Sequence, residues 1–375
     1  MVPGADAATI AAHARNDLEA LVAVSSPSGD ARGAEQAVAV ATALLPPGAE
    51  IERLPCSSPG YAADLLARIT GDGAPRVLLL GHLDTVFAHE SHRPLEAGGE
   101  HLVGSGAVDM KGGVALALGV LGAVAGLRDA FAEIALLLVT DEEWRTHDFA
   151  HTALAGGYDA CLCFEAGQLA PGGEEAVIVR RKAAGTLRVE AHGRAAHSGS
   201  APDRGRNALL ALTAAAERVA AFHEPGGVAR LTAVPTILRS GEAFNVVPAR
   251  GELLCDLRAD RLETFDDVLA SIPREVNGAT LDARLVRRWP GMDAREATAG
   301  LLERAGGRLG RPIVAAERGG ASDASHVATV VPLTVDGLGP RGGGAHGPEE
   351  FVLIDSLRTR AEVALAIVAE LLDSR

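Results

Sequence analysis

Cysteine is scarce in this chain, and the few present do not form a disulfide framework. Cys56, Cys161, Cys163 and Cys255 are spread through 375 residues, too few and too scattered to staple a fold of this length. Cys161 and Cys163 lie in the apolar run DACLCF and read as small buried hydrophobes. This usage predicts a reducing, cytoplasmic setting. The apolar runs are expected to be too short to span a bilayer. RVLLLG and EIALLLV are strand-length, well short of the roughly 20 apolar residues that cross a bilayer. The opening MVPGADAATIAAHARNDLEA has no basic start followed by an unbroken apolar stretch, so no secretory signal is expected. Positive charge is in deficit, with 35 Lys and Arg against 49 Asp and Glu, a net −14 with His neutral. That balance argues against a nucleic-acid surface, which needs a basic stripe. No internal repeat is visible.

What is there is ample for a globular fold, with 47% hydrophobic and 22% charged residues. The length exceeds what one growing core supports, so two domains are expected. Helical spacing over residues 8–23 and in AEQAVAVATALL predicts two helices. The runs RVLLLG, EIALLLV and DACLCF read as buried, mainly parallel strands. GGVALALGVLGAVAGL, apolar nearly all round, predicts a helix buried in the layers. The texture changes near residue 180. The order strand, helix, strand, strand, helix, strand over 183–289 is that of a ferredoxin-like split βαβ unit. From 291 the α/β pattern returns and closes with a helix over 354–373. The prediction is an α/β chain: a discontinuous domain, 1–182 and 290–375, with a mixed sheet flanked by helices, and an inserted α+β domain, 183–289.

Short phrases with chemical sense of their own punctuate the first domain: GHLDTV, GAVDMKGG, TDEE, CFEAG and GGAHG. They contribute His82, Asp84, Asp109, Glu142, Glu143, Glu165 and His346. Histidine nitrogen and carboxylate oxygen are zinc donors, and open α/β sheets gather their sites at strand carboxyl ends. The donors up to Glu165 are expected there or just beyond. His82 and Asp84 lie two apart, so both can face one cleft, with Asp84 taking the other ring N–H of His82. Asp109 is the candidate to bridge two cations. Of the adjacent Glu142 and Glu143, one can ligate while the other takes a proton from activated water. Singly, each phrase has an ordinary reading: a strand-end pair, an N-cap, an exposed acidic turn, a solvent-facing loop histidine. Their joint occurrence carries the weight.

In this order, GHLDTV, GSGAVDMKGG, DEE, the FE pair, GRAAHSG, NVVP, DLR, GGASDA and GAHGPEE resemble the dinuclear zinc amidohydrolases. That family includes acetylornithine deacetylase, succinyl-diaminopimelate desuccinylase, aminoacylase and bacterial glutamate carboxypeptidase, and the likeness runs from about residue 10 to 373. It implies a zinc-peptidase-like catalytic domain and an inserted domain that serves as lid and dimerisation module. One zinc would be held by His82, Asp109 and Glu165, and the other by Asp109, Glu143 and His346, with cobalt or manganese admissible on the same donors. Asp84 would orient His82, Glu142 would be the general base, and the Asp109–Met110 peptide bond would be cis. His197 would steady the oxyanion in a neighbouring subunit, while Asn245 and Arg258 would bind substrate, Arg258 through a bidentate contact to a free carboxylate.

RRKAAG, FEAG and ERGGASDA lean toward the glutamate carboxypeptidase type. The resemblance therefore implies a cytoplasmic, homodimeric hydrolase of an amide next to a free α-carboxylate, acting on a small molecule or peptide. An N-acyl amino acid deacylase of the acetylornithine deacetylase type and a non-catalytic metal-binding relative are the alternatives. In one place the chain departs: Trp144-Arg145-Thr146-His147 stands where the family usually has Gly-Ser after the two glutamates.

Overall fold

The structure, a computed structural model, describes residues 6–373; the outermost ends of the expected discontinuous domain, 1–5 and 374–375, lie outside the described residues. The chain divides into two compact units: Met1–Arg180 with Asp293–Arg318 and Ser322–Arg375, and Arg181–Met292 with Gly319–Ala321. The sequence-based limits of the insert, 183 and 289, fall within the second of these.

The first unit is built on a six-stranded sheet. Its order is Glu50–Leu54, Asp64–Thr70, Glu133–Val139, Arg76–His82, Ala160–Cys163, Thr334–Val335. Arg76–His82 is central and runs parallel to both neighbours. The two strands at the Glu50 edge are antiparallel, which makes the sheet mixed. Every residue of Glu133–Val139 is buried, so both faces are covered, as the continuous apolar run requires. Each large aliphatic side chain buried in this way contributes roughly 1.5–3 kcal/mol.

Helix Gly112–Val124 packs on the strands Arg76–His82 and Glu133–Val139 and against helices Ala7–Val22 and Ile354–Asp373. The stretch Ala107–Val124 is long and apolar enough to cross a membrane by length and composition alone, but 78% of it is buried inside the protein. Its apolarity serves the core. Asp6 and Asp30 cap the first two helices, accepting from Ala8 N and Gly33 N, an arrangement typically worth about 1 kcal/mol. Two strands, Glu50–Leu54 and Asp64–Thr70, have no counterpart in the sequence reading. The first is exposed at the sheet edge and carries no apolar pattern; the second is buried on both faces and shows no alternation.

The second unit is an antiparallel sheet ordered Thr232–Ser240, Arg250–Ala259, Ala183–His192, Ala279–Trp289, Glu275–Val276. Helices Ala208–Ala220 and Thr264–Ala270 complete it. Its core is made of Leu187, Val189, Leu212, Leu253, Leu257 and Phe265. The strand order is that of the expected ferredoxin-like unit with one short strand added.

Register sets the chemistry. His82 pairs with Val139 and Leu80 with Cys163, so the three parallel strands end side by side. A glycine tightens this edge. A Cβ on Gly113 would lie 1.8 Å from the carbonyl oxygen of Phe164, so the buried helix rests directly on the backbone that leads into Glu165. Gly113→Ala is expected to destabilise the protein by roughly 1–3 kcal/mol, read from urea unfolding. An unchanged midpoint would show that this close approach does not exist.

Candidate metal centre

The ends of the parallel strands carry His82, then Glu142 and Glu143 after Val139, and Glu165 after Cys163. Asp109 departs from the strand-end expectation. It stands in the turn Ala107–Lys111 at the head of the buried helix, 27 residues along the chain from His82. The Asp109–Met110 peptide bond is cis, as the resemblance implied. His346 comes from a Gly-rich loop between the paired segments Gly342–Gly343 and Phe351–Leu353. There it takes φ 65°, a left-handed conformation uncommon for a residue with a Cβ.

Asp109 lies between two imidazoles. Its Oδ1 is 3.2 Å from His82 Nε2 and its Oδ2 is 3.2 Å from His346 Nε2. His82 Nε2 is also 3.8 Å from Glu165 Oε1, and His346 Nε2 is 3.1 Å from Glu143 Oε1. Two trios result, His82–Asp109–Glu165 and Asp109–Glu143–His346, each with donor atoms within 4.8 Å of one another. Donors around a tetrahedral zinc at ~2.1 Å stand about 3.4 Å apart, so the nitrogen–oxygen spacings here fit a cation. Glu142 forms a third group with His82 and Glu143. His82 is buried at one end of the centre, whereas His346 is exposed at the other.

The surroundings set the tautomers and the charge. His82 Nδ1 is 3.1 Å from the backbone carbonyl of Asp84 and 3.4 Å from its carboxylate. A proton on Nδ1 therefore leaves the Nε2 lone pair facing Asp109. The Asp84 carboxylate does more than orient His82, since its two oxygens accept from Glu142 N and Glu143 N, each at 3.1 Å. Burial pushes the Glu142 carboxyl well above its ordinary value, against the opposing pull of His82. Burial likewise raises Glu143, opposed by His346. Contacts to Asp109 and then Glu143 push the His346 imidazole up to about 10. These are the responses of an acidic cluster that favours positive charge.

Glu350 is a contributor that the sequence reading missed. Buried beneath the turn, its Oε1 accepts from Val108 N at 2.8 Å and Asp109 N at 2.9 Å, and its Oε2 from Gly106 N at 3.1 Å. It fixes the backbone that carries Asp109. Its signal was the doubled glutamate after His346 in GAHGPEE.

The remaining candidates lie in the second unit. His197 is exposed, and its Nδ1 accepts from Gly199 N at 3.1 Å and Ser200 N at 3.2 Å. The proton of the neutral ring is thereby placed on Nε2. Asn245 lies beside it, its carbonyl accepting from Ser198 N at 3.0 Å. Arg258 lies on a strand of the sheet, and its Nε and Nη2 are engaged by Asp256 at 3.1–3.2 Å.

This fold and this centre define a metallopeptidase-like α/β protein, and sequence comparison assigns it to a family. The chain belongs to peptidase family M20/M25/M40, which it matches over residues 78–370. It is 28% identical to carboxypeptidase G2 of Pseudomonas sp. (strain RS-16), over 94% of this chain and 88% of that one. It is 30% identical to the succinyl-diaminopimelate desuccinylase of Methylobacterium sp. (strain 4-46), over 85% and 87%. In fold it resembles the Bacillus subtilis YXEP protein, described as a dinuclear metal binding peptidase, with a TM-score of 0.70, 14% identity and 98% and 99% coverage.

Glu350→Ala is expected to strip metal affinity from the centre by roughly 10–100-fold. It should also cost stability on the order of 1–3 kcal/mol for each N–H left without an acceptor. Metal titration of the stripped variant and a urea melt read the two effects; wild-type values in both would rule out this role.

Proposed function

We propose that this chain is a hydrolase that uses two divalent ions to cleave an amide bond next to a free α-carboxylate, on substrates ending in glutamate or on N-acyl amino acids. The observation that carries this reading is Asp109, whose two oxygens each stand 3.2 Å from a different imidazole within a different donor trio. His82, Asp109 and Glu165 would hold one ion, and Asp109, Glu143 and His346 the other. Zinc is the assigned metal, and cobalt or manganese suits the same nitrogen and oxygen donors. When bound, the ions supply Lewis acidity toward the scissile carbonyl and the attacking water.

The chain's own groups do the rest. Glu142, held through its N–H by Asp84, takes the proton of the attacking water and returns it to the leaving amine. His197 donates from Nε2 to the carbonyl oxygen as that atom gains negative charge; following the resemblance, we assign it to substrate bound by a second copy of the chain. Asn245 and Arg258 bind the free carboxylate. The Asp256 pair occupies Nε and Nη2 of Arg258 and leaves the Nη1 edge for that contact.

A homodimer through the inserted unit belongs to this proposal. Thr232–Ser240 is an edge strand with one neighbour, and Val234, Ile237 and Leu238 are each about two-fifths exposed. An unpaired apolar edge of this kind invites pairing with another chain. Leu238→Asp is expected to shift a dimer toward monomer in analytical ultracentrifugation; a wild-type chain that sediments as a monomer at every concentration would refute the assembly. We place the protein in the cytoplasm, a setting consistent with its four free cysteines.

The test is side-by-side hydrolysis of a folate-type acyl-glutamate, N-acetylglutamate and acetylornithine by the metal-reconstituted protein. Acyl-glutamates should be cleaved, a chelator should stop turnover, and added zinc should restore it. A preference for acetylornithine favours the deacylase reading, to which the likeness to a desuccinylase lends support. No cleavage with both ions bound would point to a non-catalytic relative. Glu142→Ala should abolish turnover while metal content stays near that of the wild type. A variant with ordinary rates would remove the base from Glu142.

A further inference from the structure

We infer that Arg145 is a positioning residue for Glu142 and Glu143, its guanidinium locking the turn that presents both carboxylates by bridging Asp141 and Asp323. The inference rests on the reading above, in which Glu142 is the base and Glu143 a metal ligand.

The turn is short and closed at its base. Arg145 N–H donates to the carbonyl of Asp141 at 3.0 Å, and Arg145 Nη1 donates to Asp141 Oδ1 at 3.0 Å. Between these two residues lie Glu142, Glu143 and Trp144. The other Asp141 oxygen accepts from Ser58 N at 2.8 Å. On its far side the guanidinium pairs through Nη2 with Asp323, the first residue of helix Asp323–Val327. Arg145, Asp141 and Asp323 are all buried. The Phe149 ring lies 5.1 Å from the guanidinium and stacks on His326. Glu142 and Glu143 are thus held from two directions, with Asp84 binding their N–H groups on one side and the Arg145 clamp fixing the turn on the other.

Charge explains why the clamp needs an arginine. Asp141, Asp323 and Glu142 are carboxylates crowded into a buried space. Arg145 compensates the two aspartates it touches; removing one partner of such a buried set leaves uncompensated charge. A lysine retains the charge but has no planar fork to span two carboxylates. A catalytic group displaced by ~1 Å can lose on the order of 100-fold in rate.

The test uses the full chain carrying Arg145→Lys. Metal-stripped protein is titrated with Co²⁺, kcat and KM are measured on an acyl-glutamate, and near-UV circular dichroism reports the fold. The expected result is a folded variant in which one of the two ions binds roughly 10–100-fold more weakly and kcat falls by a similar factor, with KM little changed. Asp323→Asn, which keeps Arg145 and its Asp141 contact, should show the same selective loss at smaller amplitude, and it decides the matter if Arg145→Lys does not fold. Wild-type Co²⁺ affinities and kcat in either folded variant overturn the inference, as does equal loss of both ions or a change confined to Tm. If neither variant folds, Arg145 is a core-stability residue and the positioning role is withdrawn. If the wild type cleaves none of the substrates, the functional proposal falls, while the Co²⁺ titration still decides the clamp.

Discussion

The constraint that the first unit must satisfy is a crowd of carboxylates brought to one place against their mutual repulsion. Asp84, Asp109, Glu142, Glu143 and Glu165 meet around His82. Like charges at such spacing are tolerated only where protons, cations or fixed dipoles offset them. Protein groups supply part of that offset. Asp84 is bound by two backbone N–H groups, and Arg145 sits between two further aspartates. The rest is an appetite for positive charge focused on Asp109, whose carboxyl is held below its ordinary value because the His346 and His82 rings beside it outweigh the effect of burial.

Rigid elements make the crowding possible. Three parallel strands end level with one another, a buried helix presses on the backbone that leads into Glu165, and the turn before that helix carries Asp109. The helix offers no side-chain cap of its own, and Glu350, from the far end of the sequence, satisfies the N–H groups of the turn before it. The hydrophobic core thus fixes the backbone, and hydrogen bonds to backbone N–H groups fix the acids.

Much of this was legible in the sequence. Apolar runs bounded by glycine and charge marked the strands Arg76–His82, Glu133–Val139 and Ala160–Cys163, and the acids at their ends followed from the fold class. The ferredoxin-like insert was legible because its strands alternate and its helix is amphipathic. Strand Glu50–Leu54 was not, since an exposed edge leaves no apolar imprint. Arg145 was noticed only as part of an unusual loop. Its partner Asp323 lies 178 residues away in the chain, and no local pattern encodes a contact of that span. Glu350 was hidden for the same reason, as a glutamate in a Gly-rich loop reads as solvated until the turn above it is seen. The role of Asp84 was legible only in part, because its main-chain carbonyl lies nearer to His82 than its side chain does.

The order of these groups along the polypeptide has a consequence for biosynthesis. His82, Asp109, Glu143 and Glu165 all leave the ribosome before the inserted unit is made, and His346 leaves after it. A nascent chain can therefore collect the donors of the first trio early, while the second stays incomplete until the insert has been translated. The order of translation separates the assembly of one half of the centre from that of the other.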